Sequence, residues 1–183
     1  YRFRGAMPSV IQQFVKYYQA KVLTLDMNYR SDKNILNIAN QLIKNNMHRI
    51  EKTLKSYSNH KGHIEIILCH DKTNQLETLL ELINNLTYKS FAILSRTHHL
   101  LYELKLNIHE TIPMFLQHKI KLLTLHESKG LEFDVVGIIG IDEKTLPHHL
   151  SVSKESIEEE RRLFYVGITR AKHQLYFIHH KHQ

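Results

Sequence analysis

Short β-rich runs alternate along this chain with stretches whose apolar positions recur at helical spacing, a pattern that predicts a mostly parallel sheet with helices on both faces. Ser9 can cap a first helix in which Val10, Phe14, Val15 and Tyr18 share a face. A strand is expected over Lys21 to Leu25. Ser31 can cap a second helix with Ile35, Ile38, Leu42 and Ile43 as its buried stripe. The polar stretch from Asn45 to Gly62 reads as a surface excursion, without regular structure in its second half.

His63 to Cys69 is a strand candidate, followed by an amphipathic helix on Leu76, Leu79, Leu80 and Ile83. Phe91 to Ser95 is short and almost wholly apolar, as a central parallel strand buried on both faces should be. Leu100 to Leu106 reads as helical. From Asn107 to His118 the pattern weakens, and Pro113 argues against one continuous helix. Ile120 to Leu125, Val135 to Ile141 and Gln174 to Ile178 are the remaining strand candidates. Before the last of these, Ser156 and Glu159 match a capping box, which puts Glu158, Glu159 and Glu160 in a first turn. Leu163, Phe164, Tyr165, Val166 and Ile168 supply that helix's apolar surface. Gly167 costs about 1 kcal/mol against Ala inside a helix, so close approach of another backbone is expected there. No internal repeat or Gly/Ser linker interrupts the chain, and a single compact domain is the simplest organisation.

Composition narrows the setting. Lys and Arg total 25 against 18 Asp and Glu, a formal charge of +7 over 183 residues that favours polyanionic partners without naming one. The single cysteine, Cys69, excludes an internal disulfide, fits a reducing compartment and reads as a small core residue. No apolar run is long enough to cross a bilayer, and YRFRGAM does not resemble a signal peptide, so a cytoplasmic protein without a membrane partner is expected. The missing initiator Met suggests a chain that starts inside a longer one. Among the 15 histidines, His148 with His149 and His179, His180 and His182 invite a metal reading. They lack cysteine partners and ligand spacing on one element, so no metal site is expected.

Three stretches carry candidate chemistry. Arg170 closes the helix that starts in EEERRLFYVGITRA, where it is either a solvated cation favouring the helix dipole or a functional group. In NYRS, Tyr29 can stack on a planar base and Arg30 can offer a fork of donors to a phosphate; the pair can equally anchor a loop. In TLHESKGLEF, Thr124, His126, Ser128, Lys129 and Gly130 follow an apolar strand directly. Ligands bind at such strand ends in open α/β sheets, although an ordinary turn has the same look.

YRFRGA, NYRS, TLHESKGLEFDVV, LPH at Leu146 to His148 and EEERRLFYVGITRA, in this order, closely resemble the C-terminal half of superfamily 1 DNA helicases of the UvrD, Rep and PcrA type. The resemblance runs from Tyr1 to about Phe177. It implies an α/β, RecA-like (P-loop NTPase-like) domain that forms half of an ATP-driven motor moving 3′ to 5′ on single-stranded DNA. Residues 1–8 match the tail of the first RecA-like domain and 9–183 the second. Phe3 matches the aromatic that stacks on DNA bases, with Tyr1 and Arg4 beside it. Tyr29 matches the residue that stacks on adenine, and Arg30 and Arg170 match two arginines that reach the γ-phosphate. Gly130 and Glu132 match positions on the nucleotide side. Thr124 and His126 match the DNA side, and Arg96, in RTHHL, belongs to a DNA-contacting loop. The implied partners are single-stranded DNA and the N-terminal RecA-like domain of the same protein, in a monomer.

Departures qualify the match. No G-x-x-x-x-G-K-[ST] occurs in the sequence, so ATP with Mg would depend on Mg ligands in the missing N-terminal domain, and the chain alone is expected neither to hydrolyse ATP nor to unwind DNA. Close relatives insert a large helical subdomain between Leu106 and Lys119, where this chain has a short connection around 107–118. His98 stands where better-known members carry Asn. Two function classes remain: the arginine-donating half of an ATP-dependent helicase, and a catalytically silent helicase-derived DNA-binding or interaction module.

Overall fold

In a computed structural model, which describes residues 9–142 and 145–180, the chain begins with α1 (Val10–Tyr18), β1 (Met27–Asn28), α2 (Lys33–Ile43) and β2 (Lys55–Ser56). It continues with β3 (His63–Cys69), α3 (Lys72–Asn84), β4 (Phe91–Ser95), α4 (His98–Thr111) and α5 (Met114–Gln117). It ends with β5 (Ile120–Thr124), β6 (Phe133–Ile139), α6 (Lys154–Ile168) and β7 (Ala171–His180). Five strands form one sheet in the order β3, β7, β6, β4, β5, and every pairing is parallel. This is the expected α/β arrangement.

All five residues of β4 are buried, and their alternation builds two cores. Phe91 and Ile93 meet Leu79 and Ile83 of α3 and Leu101, Leu104 and Ile108 of α4. Ala92 and Leu94 point the other way, to Ile35 and Ala39 of α2 and Ile168 of α6. Helices therefore cover both faces. Cys69 is a buried core residue at 3% exposure. No helix among the described residues is long and apolar enough to cross a membrane.

Several boundaries differ from the sequence reading for local reasons. Lys21 to Leu25 joins no ladder, and Val22, Leu23 and Leu25 are exposed. Strand propensity expresses itself only where a neighbour offers hydrogen bonds, and here just Met27–Asn28 finds one, in Lys55–Ser56. That pairing also gives the Asn45 to Gly62 excursion a two-residue strand. Ser9 precedes α1 without a side-chain cap bond, and α1 buries none of its residues. Asp32, not Ser31, is the N-cap of α2; Ser31 Oγ instead donates to Ala171 O at 2.7 Å. The capping box of α6 is Ser153 with Ser156, so the helix starts earlier than Ser156 and Glu159 suggested. Glu158 and Glu160 consequently fall beyond the first turn and are buried. α4 runs on to Thr111 and stops before Pro113, as the ring of proline demands. β7 extends from Ala171 to His180, beyond Gln174 to Ile178 on both sides.

The β5 to β6 connection positions the rest. Both strands pair with β4 and run parallel, so residues 125–132 must return the chain from the C-terminal edge of the sheet to its N-terminal edge. Leu125 starts this return fully buried, and a Cβ at Gly167 would run into its side chain. Gly167 thus makes room for a leucine of the connection, not for a backbone.

Candidate functional site

At the N-terminal edge, β6 and β7 start side by side, with Phe133 N donating to Arg170 O at 2.9 Å. Glu132 and Arg170, the residues just before those strands, are therefore neighbours. The NYRS loop is fastened to the same place by Ser31 Oγ on Ala171 O and by Asp32 N on Lys172 O at 2.8 Å. Below it, Asp32 is buried and holds Ser58 Oγ at 2.6 Å and His173 Nδ1 at 3.0 Å.

The charged groups that meet here are Arg30, Glu132, Arg170 and Lys172. Arg30 Nε donates to Glu132 Oε2 at 2.9 Å and its NH1 reaches Thr169 O at 3.4 Å. Lys172 Nζ lies 2.7 Å from Glu132 Oε1. Arg170 donates from Nε to Val166 O at 3.0 Å, from NH1 to Leu131 O at 2.9 Å and from NH2 to Thr169 Oγ1 at 3.2 Å. Burial and the nearby Arg30 lower the Arg170 pKa, the cost of holding two guanidinium groups close together. Tyr29 is 75% exposed with its ring 4.8 Å from that of Tyr57. Gly130, at φ 88°, has open space where a side chain would stand. Three cations around one carboxylate, flanked by an exposed ring, suit an anion that also carries a planar group.

Lys172 first, then Arg30, holds the Glu132 carboxyl below the usual range. A depressed carboxyl stabilises the fold fully above its unfolded pKa, and that contribution is lost as pH falls through the lowered folded value. A carbon-13 titration of the Glu132 side chain is expected to show a midpoint below that of ordinary glutamate, rising when Arg30 and Lys172 are both replaced by Met. A midpoint indifferent to both substitutions would contradict the ion-pair geometry.

The second group stands at the opposite edge. Thr124 ends β5, and its N and Oγ1 both donate to Glu127 Oε2, at 2.8 and 2.9 Å. The Glu127 carboxyl is held low, chiefly by the Thr124 backbone N–H. His126 is pushed down by burial and then by the charge of Arg96. Arg96, just past β4, is bound to Glu160 of α6, which also accepts the His148 backbone N–H at 3.2 Å.

The structure thus gathers Tyr29, Arg30, Gly130, Glu132 and Arg170, the residues expected on the nucleotide side, at one edge, and Arg96, Thr124 and His126, those expected on the DNA side, at the other. TLHESKGLEF starts on the last residue of β5, and only its first residues stay at the strand's C-terminal end, because the connection carries Gly130 and Glu132 back across the sheet. Tyr1, Phe3 and Arg4 lie outside the described residues. Lys172, Glu127 and Glu160 were missed. Lys172 follows Arg170 by two positions on a strand, a spacing that could have drawn attention to it; Glu160 sits in a run of like charges that gives no sign of which member turns inward. Among the described residues, no group of three or more His, Cys, Asp or Glu side chains is placed to hold a metal.

A family model described as the UvrD-like helicase C-terminal domain matches residues 23–116 and 98–182. The ATP-dependent DNA helicase Rep of Buchnera aphidicola (Acyrthosiphon pisum) is 59% identical over 63 residues, covering 34% of this chain and 10% of that protein. A probable DNA helicase of Mycoplasma pneumoniae is 30% identical over 191 residues, covering 97% of this chain and 36% of that protein. DNA helicase IV of Escherichia coli is 28% identical over 197 residues, covering 99% and 28%. The matched part of the chain thus spans 36% or less of the length of these relatives. Among solved structures, the C-terminal domain of a possible DNA helicase from Lactobacillus plantarum has a TM-score of 0.56 at 15% identity, covering 82% of this chain and 86% of that one, a likeness of fold.

Proposed function

Because this chain belongs to the UvrD-like helicase C-terminal domain family, we propose that it is the second motor domain of a cytoplasmic, monomeric ATP-dependent 3′ to 5′ DNA helicase, preceded in residues 1–8 by the tail of the first. The observation that carries this reading is the convergence of Arg30 and Arg170, far apart in sequence, on one edge: Arg30 bonds to Glu132 and to Thr169 O across separations of 102 and 139 residues. A lone arginine at a helix end is commonplace; two around an exposed tyrosine and an open glycine fit a nucleoside triphosphate.

Arg30 and Arg170 would meet the charge that develops on the γ-phosphoryl oxygens, and Tyr29 would stack on the adenine. Both arginines now bond within the protein, so reaching a phosphate means exchanging those partners. Gly130 leaves room for the ligand to approach, and Glu132 holds Arg30 and Lys172 in place. ATP supplies the transferable phosphoryl group, and its Mg is held by the N-terminal RecA-like domain. At the opposite edge Arg96, Thr124 and His126 would face single-stranded DNA. Residues 125–132 touch both edges, which supports coupling of nucleotide state to DNA grip. The short connection around 107–118 stands in place of the helical insert of close relatives.

The test is two-part. The longer protein should hydrolyse ATP in a DNA-stimulated manner. The 183-residue chain alone should show no turnover, having no phosphate-binding G-x-x-x-x-G-K-[ST] loop, and should bind oligo-dT weakly with a steep salt dependence. Turnover that survives loss of both Arg30 and Arg170 overturns the assignment, and DNA affinity in a longer protein without ATP hydrolysis points to a silent binding module.

A further inference from the structure

Arg96 and Glu160 form the tightest charged contact at the edge assigned to DNA. Arg96 Nε donates to both carboxylate oxygens, at 3.2 and 3.0 Å, and NH2 adds a bond to Oε1 at 2.9 Å. The Glu160 side chain is 7% exposed and that of Arg96 22%, so water and salt screen the pair poorly. A cation closed in this way keeps its shape but adds little net charge to the surface. Glu160 also accepts the backbone N–H of His148, so one carboxylate ties the end of β4 and the turn at 145–150 to α6. His126 sits within the field of both partners, lowered by Arg96 and raised by Glu160.

We propose that Glu160 is a brake on Arg96: by neutralising it at the DNA-facing edge, Glu160 keeps the domain's hold on single-stranded DNA weak enough for the strand to be passed along. This rests on the assignment of that edge to DNA. Nothing in the pair would be needed for stability alone, since apolar side chains of like volume serve a buried site as well or better. The brake also shares a rigid element with the nucleotide edge. α6 carries Glu160 near its middle and stops two residues short of Arg170, which lies on the order of 15 Å from Glu160 at the rise of a helix. Displacement of the helix by Arg170 would reach the Arg96 contact without passing through the 125–132 connection.

The test is a titration of fluorescent oligo-dT with the 183-residue chain over a range of NaCl concentrations. Glu160→Gln keeps volume and an acceptor but releases the charge of Arg96. It should bind about five-fold tighter at low salt, with a plot of log affinity against log salt steeper by about 0.7, one more single-strand phosphate neutralised. Adding Arg96→Gln to Glu160→Gln removes the released cation, so the gain in affinity and the extra slope of E160Q should both be lost. An E160Q chain of unchanged melting temperature that binds no tighter overturns the brake. So does a double variant whose slope stays as steep as that of E160Q or, where E160Q does not fold, is steeper than that of the parent chain. A parent chain that fails to bind oligo-dT at low salt removes the DNA assignment itself, and the brake with it; binding by the parent with an indifferent E160Q removes the brake alone.

Discussion

Arg170→Ala in the longer protein that carries this chain is expected to lower kcat for DNA-stimulated ATP hydrolysis by about 10³-fold or more, with a far smaller change in KM for ATP. The guanidinium stands behind Thr169 with acceptors on Val166, Leu131 and Thr169 itself. Those contacts set its direction and are individually modest, so thermal stability should change little. On the proposed function its larger contribution would be to charge that exists only as the γ-phosphoryl group is transferred, which is why kcat is the parameter expected to fall. Arg170→Lys should recover only part of the rate, since an ammonium keeps the charge and loses the fork. Arg30→Ala is expected to behave alike, and the double variant should be little worse than either single, because the two act on the same charge. A kcat within ten-fold of wild type for Arg170→Ala would remove it from the reaction.

Phe91→Ala should have the largest effect on stability, a loss of about 3 to 5 kcal/mol. The ring is fully buried at the start of β4, an interior strand, in the core formed with α3 and α4. Gly137 on β6 leaves it room, because a Cβ there would lie 3.3 Å from the ring. β4 is paired on both sides, so the loss is global. For a chain of this length that corresponds to a drop in melting temperature on the order of 10 °C. Urea and thermal unfolding followed by far-UV circular dichroism measure it; a loss under about 1 kcal/mol would mean that the ring is not packed as described.

The legible parts of the fold are those where one sequence pattern has one physical solution. Phe91–Ser95 and His63–Cys69 have the strand bounds read from the sequence, because short apolar runs bounded by polar residues leave little choice. Ser153, Ser156 and Glu159 allow two caps for one helix, and the choice between them decides that Glu160 turns inward. Lys21 to Leu25 has a strand's composition but joins no ladder, and composition does not report what lies alongside. The family resemblance singled out Arg30, Glu132 and Arg170; their residue types alone did not, since the contacts between them cross more than a hundred positions. Glu160 went unseen because its role depends on partners that no local pattern encodes.

The connection at 125–132 has one more consequence. Fully stretched it reaches roughly 26 Å, at about 3.3 Å per residue, and part of that length is used up by the turns at Ser128, Lys129 and Leu131. A span that must run back along β4 and step across it has almost no slack. The separation of the two edges is therefore metered by a count of residues as much as by their identity, so a single deletion there would act like shortening a tendon, pulling Thr124 and Glu132 out of register with the strands they flank.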